Sequence, residues 1–158
     1  MVQIKTKTDR ADEIVRKHTV GSIFVGLVPV PWVDLVVLSG IQIDMLRGLA
    51  DLYDIDFSQH RGKSLIAALL GGCAPVSFSG NVFSWVKTIP VYGQLTGMAS
   101  MSVFGGASTY AVGKVFIQHF ESGGTFLTFD PKKVADYYAQ QFELGMAKVK
   151  KYGLGIKP

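Results

Sequence analysis

The chain is poor in charge and nearly devoid of cysteine. Of its 158 residues, 18% are Asp, Glu, Lys or Arg, against about a quarter in an ordinary soluble domain. Cys73 is the one cysteine, so no disulfide forms within the chain and a disulfide-stapled scaffold is excluded. Charge is missing altogether from residues 64–86, a run of 23, and from residues 88–113, a run of 26, with Lys87 between them. A cleavable leader is not expected, because residues 1–17 are polar and Pro29 and Pro31 break the first apolar run.

The marks of catalysis are missing too. Gly62-Lys63-Ser64 ends like a phosphate-binding loop, but the glycine needed five residues earlier is Phe57. His18, His60 and His119 have no His, Cys or carboxylate three or four residues after them, and Glu121 lies two residues from His119, on another face. No nucleophile elbow or Cys–His pair is found. Asp34, after the turn of prolines, suits capping of exposed helix amides better than acid–base work. The sequence therefore predicts no enzyme, no cofactor and no metal. A net charge of +4 and a pI near 9.2 come without a dense basic stripe, so nucleic acid is not an expected partner.

What the chain has is apolar surface and glycine. Hydrophobic residues make up 48%, mean hydropathy is +0.28, and there are 18 glycines, well above the usual share of about 7%. A bilayer core needs roughly 20 apolar residues of helix. Both uncharged runs are long enough, and Lys87-Thr88-Ile89-Pro90 would turn them into a hairpin. Within the second run Gly93, Gly97, Met101, Gly105, Thr109 and Gly113 fall at steps of four. Small residues in such a row let helix backbones touch inside lipid, and self-association through this seam is expected. Of the 16 Lys and Arg, 15 lie outside residues 64–113, so the positive-inside rule puts both termini on the cytoplasmic face. The basic tail, with Lys132, Lys133, Lys148, Lys150, Lys151 and Lys157, suits an anionic leaflet.

The fold class predicted is all-α, one domain of about five helices. Residues 1–57 form an N-terminal helix pair, 58–122 the glycine-rich hairpin, and 130–153 a basic amphipathic helix. The first helix covers 4–28, with Ile4, Ala11, Ile14, Val15, Ile23, Phe24 and Leu27 on its apolar face. Pro29 ends it, and Pro31 opens a second helix over 31–53. Trp32, Leu35, Val36, Ile43, Leu46 and Leu49 supply its stripe; Asp34, Gln42, Asp44, Arg47 and Asp51 its polar side. Trp32 suits either an interface anchor or a core corner. A third helix starts near Ser58 and is weakened at Gly71-Gly72 and Pro75. The fourth covers about 91–121. Asp130 caps the fifth, with Pro131 at its first position.

Together these residues resemble a known family. Val28-Pro29-Val30-Pro31-Trp32-Val33-Asp34, Gln42-Ile43-Asp44-Met45-Leu46, Leu52-Tyr53, Ile89-Pro90 with Gly93, and Ser108-Thr109-Tyr110-Ala111-Val112-Gly113 are similar to the signatures of the YcjF-like GTPase-associated family. That family often has glycine where this chain has Trp32. The resemblance covers residues 10–122 and implies a bacterial, membrane-associated helical module of unknown function, often fused to or encoded near a Ras-like GTPase. It implies no catalytic residues. The expected function is that of a non-enzymatic membrane module that self-associates and anchors or regulates a partner. One alternative is a homo-oligomeric pore, with Ser77, Ser79, Asn81, Ser84, Gln94, Thr96, Ser100 and Ser102 lining a shared axis. Another is a soluble carrier of lipid.

Overall fold

A computed structural model describes residues 5–27, 31–77 and 93–153; at 31–35, 71–77, 93–100 and 153 it describes the backbone alone. The described residues form α1 (Lys7–Val25), α2 (Pro31–Tyr53), α3 (Gln59–Ser77), α4 (Gly93–Glu121) and α5 (Ala135–Gly153), with no strand among them. The all-α class read from the sequence is what the structure has.

Local chemistry sets most helix ends. Thr6 caps α1 through a reciprocal pair of bonds: the Asp9 amide donates to Thr6 Oγ1 at 3.1 Å, and the Thr6 amide donates to Asp9 Oδ2 at 2.9 Å. These bonds hold the Asp9 carboxyl below its ordinary value. At the end of α4 the Gly124 amide reaches the His119 carbonyl and the Gly123 amide that of Phe120, with Gly123 at φ 82°. The same doubly bonded cap closes α2, where Ile55 bonds back to Ala50 and Asp54 to Asp51. There Asp54 occupies the left-handed position at φ 58°.

Some boundaries differ from expectation. α1 runs from Lys7, behind its Thr6 cap, to Val25, and not over 4–28. α3 continues through Gly71, Gly72 and Pro75 to Ser77, since one proline removes a single helical bond. Asp130 and Pro131 open a turn rather than α5 itself. Asp130 Oδ1 accepts from the Lys132 amide at 3.0 Å, the chain turns through Val134, and the helix proper starts at Ala135.

α4 is the axis of the molecule and touches each of the other four helices. From Ser102 to Phe120 thirteen of nineteen residues are buried and only Gln118 is exposed, as a helix at the centre of a bundle requires. Its two halves are packed differently. Toward the C-terminus Phe116 stacks on Phe129, with centroids 4.4 Å apart and planes at 6°, and tilts against Phe120 and Phe126. Phe57 meets Phe126 edge-on, and Tyr53 closes on Phe120.

Toward the N-terminus backbones meet instead of side chains. A Cβ on Gly113 would lie 2.5 Å from a Val15 methyl, and one on Gly26 would lie 2.6 Å from the Ser102 backbone. The register is antiparallel on both sides. Ile23 of α1 and Val149 of α5 both press on Gly106, and one residue away Ser22 and Leu38 meet Gly105.

Candidate functional site

A polar knot is buried where α1, α2 and α4 meet. Ser22, Gln42, Ser108 and Thr109 are all at most 1% exposed. Ser22 Oγ donates to the His18 carbonyl at 2.9 Å, so the 2.8 Å contact with Thr109 is made by the Thr109 hydroxyl hydrogen. Gln42 Nε2 donates to Thr109 Oγ1 and Ser108 Oγ, each at 3.2 Å, and Ser108 passes its own hydrogen to the Gly105 carbonyl at 3.1 Å. Two relays thus run from the Gln42 amide to helix carbonyls. Gln42 Oε1, Thr19 Oγ1 and Ser102 Oγ are buried with no hydrogen-bond partner, an unfavourable arrangement in a water-soluble core.

The outside of the same region is apolar. Phe24 is 63% exposed and Val36 73%, and Leu27 and Val37 are also in the open. The α1 and α2 stripes read from the sequence hold at Ala11, Val15, Ile23, Ile43, Leu46 and Leu49 and fail at Phe24, Leu27 and Val36. On α1 the hidden positions are Ala11, Val15, Thr19, Ser22 and Ile23, not Phe24 and Leu27. On α2 Gln42 lies inside with Leu38, Met45, Leu46 and Leu49, while Val36 faces out. Helical spacing finds the polar and apolar sides of a helix but assumes water on the outside.

The expected site residues fare unequally. Gly105, Thr109 and Gly113 do form a close-packing seam, but its partners belong to the same chain: Ser22 and Leu38 meet Gly105, Ser22 and Gln42 meet Thr109, and Val15 and Met45 meet Gly113. That half of the row is not open to a second copy. Gly93 and Gly97 lie on the backbone of α4, and Pro31, Trp32 and Asp34 in the first turn of α2, with their side chains outside what is described; Pro29 and the 87–90 turn lie outside the described residues. Ser102 of the proposed pore lining is buried, and the other seven positions fall where side chains are not described. Ser22, Gln42 and Thr19 were missed as interior polar groups. Gln42 carried a signal, since it stands four residues from both Leu38 and Leu46.

The opposite end of the bundle is built as in a soluble protein. Asp12 pairs with Lys114 at 2.7 Å, and its hydrogen bond and charge keep the Lys114 ammonium above its ordinary pKa despite burial. His18 bridges α1 and α2, with Nε2 3.1 Å from Asp44. Burial foremost, and then the hydrogen bond to Glu121, push the Tyr53 hydroxyl up. Arg47 lies over Phe57 rather than in a charge ladder. An open groove of about 430 Å³ between α1 and α2 is lined by Arg10, Glu13, Ile14, Lys17, Gly48, Asp51 and Leu52, a rim too charged for an apolar ligand. Gly62 is inside α3, its amide donating to Ser58 at 2.9 Å, so it has no free amide to offer a phosphate. No group of three or more potential metal ligands occurs among the described residues.

No helix among the described residues is long and apolar enough to cross a membrane. Freedom from charge is not hydrophobicity: α4 has the length, but its Gly, Ser, Thr and Gln residues dilute its apolar content.

A family model described as a domain of unknown function, DUF697, matches residues 3–145. The chain belongs to the DUF697 family. Magnetosome membrane protein 22 of Magnetospirillum gryphiswaldense is 36% identical over 138 residues, which are 87% of this chain and 71% of that protein. No solved structure matches the chain. The DUF697 match takes in α1 to α4 and the larger part of α5, so it includes the polar knot and the aromatic half together. A bacterial helical family of unknown function, the coarser part of the sequence resemblance, is what these likenesses support.

Proposed function

We propose that this DUF697 chain is a non-enzymatic, membrane-associated helical module whose uncharged end meets the bilayer while its charged end stays in water and holds a partner. The carrying observation is where charge falls. Residues 18–43 bear one formal charge, Asp34, and residues 64–113 bear one, Lys87. The fold gathers the chain ends of α1, α2 and α4 that carry these stretches on one side of the Gly105 level. The likeness to a magnetosome membrane protein supports the same reading, with lodging in the bilayer in place of spanning by the described helices. Arg61, Lys63 and Lys114 beside the uncharged stretch favour a cytoplasmic position for the charged end.

The partner suggested by the YcjF-like signatures is a Ras-like GTPase acting in trans. Self-association, in this reading, uses residues 93–97 of α4, because Gly105, Thr109 and Gly113 are occupied by α1 and α2. Membrane fractionation with a carbonate wash, followed by affinity capture, tests both parts. The chain is expected in the washed membrane pellet together with a bound GTPase. Recovery in the soluble fraction without detergent defeats the membrane reading, and capture free of any GTPase defeats the partner.

A further inference from the structure

We infer, resting on that membrane reading, that the outer face of the α1–α2 pair formed by Phe24, Leu27, Val36 and Val37 is a hydrocarbon-contacting surface, with the Lys148, Lys150 and Lys151 end of α5 positioned for anionic lipid headgroups. The sequence left open whether this first helix pair enters the bilayer at all. Three observations carry the inference, and the first is inversion. At this level the bundle turns Ser22, Gln42, Ser102, Ser108 and Thr109 inward and Phe24, Leu27, Val36 and Val37 outward. In water both halves of that arrangement are unfavourable. In hydrocarbon the outward apolar side chains are favourable, and the Ser22, Gln42, Ser108 and Thr109 bonds are the kind that hold helices together there, although Gln42 Oε1 and Ser102 Oγ stay unpaired.

The second is clustering. The described residues expose seven large hydrophobic side chains, and Phe24, Leu27, Val36, Val37 and Tyr152 all lie beyond the Ile23–Gly106–Val149 contact. Leu127 and Leu144 lie elsewhere. The third is charge. Val149 presses on the same glycine as Ile23, so Lys148, Lys150 and Lys151 stand at the height where the apolar face begins. Lys148 sits over the Tyr110 ring at 5.4 Å, and Lys150 and Lys151 are exposed. A basic row at the rim of an apolar face matches an anionic leaflet, whose surface potential attracts lysines within a Debye length.

The test uses the full chain with Cys73→Ala and one new cysteine carrying an environment-sensitive fluorophore, at V36C or at L127C, each mixed with phosphatidylcholine vesicles with and without phosphatidylglycerol. Brominated lipids are expected to quench the V36C probe, with a blue shift, and to leave the L127C probe unchanged. In the unlabelled chain, K150Q with K151Q is expected to lower affinity for phosphatidylglycerol vesicles by about tenfold or more and to leave binding to phosphatidylcholine alone unchanged. Helicity by circular dichroism checks that each variant is folded. A chain that floats with vesicles while V36C stays unquenched overturns the surface and leaves the membrane reading standing. A blue shift without quenching assigns the face to protein and also overturns it. A chain that does not float with either vesicle defeats both. An unchanged affinity in K150Q/K151Q removes the headgroup role.

Discussion

The two halves of α4 are buried by different means. From Phe116 onward large rings fill the space between helices and charges ring the outside. From Ser102 to Gly113 glycines admit neighbouring helices closely around hydroxyls and an amide, and Val36 and Val37 of the adjoining α2 face out. The first half draws its stability from apolar area removed from water. The second also buries apolar groups, among them Val15, Met45, Val112 and Val149, and adds close backbone contact and buried hydrogen bonds, terms that also operate in lipid. One helix thus passes from a ring-filled core with a charged exterior to a glycine-packed core with an apolar exterior within a few turns.

Mutations in each half measure that contrast. The largest effect is expected from Phe116→Ala, which empties the centre of the ring cluster and should destabilise by about 3–5 kcal/mol, read by denaturant unfolding in a dispersing detergent. A much smaller loss would mean that the aromatic half is loosely packed. Gly113→Val puts a side chain 2.5 Å from Val15 Cγ2 and should cost about 1–3 kcal/mol by overpacking, seen as separation of α1 from α4 in hydrogen exchange. The knot distinguishes its members. Thr109→Val takes away one acceptor of Gln42 and the donor to Ser22 and should cost about 1 kcal/mol. Gln42→Met also relieves the partnerless Oε1 and should be near neutral; a clear loss there would reveal a partner for that oxygen.

The smallest effects belong to the charged end. Asp54→Gly places glycine at the left-handed cap of α2 and should stabilise by about 0.5–1 kcal/mol, raising the unfolding midpoint. Asp9, whose pKa is held below 3.8 by Thr6, supports the start of α1 fully above that pH. Its support is lost as pH falls through the lowered native value. The protection factor of the Thr6 amide, taken relative to its intrinsic exchange rate, should therefore fall in acid, and Asp9→Asn should remove that pH dependence.

Much of the helical layout was legible in the residues. Pro31 and Gly123 mark ends that the structure keeps, whereas the Thr6–Asp9 cap that starts α1 at Lys7 was not read from the sequence. The row of small residues announced close packing of α4, and three of its members pack closely. What misled were inferences that need a surrounding medium. Phe24 and Val36 read as interior because apolar residues hide from water, and Gln42 as exterior for the same reason. The row also gave no sign of whether its partner was a second chain or α1. Asp130 misled locally, since an aspartate can open a turn as readily as cap a helix.

Sequence by itself determined which segments are helical and which stretches lack charge, because capping, proline and charge act within a few residues. The tertiary structure alone decided which side of each helix faces a neighbour. A helix has the same polar and apolar sides however it is rotated, and only the meeting of Ser22, Gln42 and Thr109 from three helices turned hydroxyls inward and left valines outside.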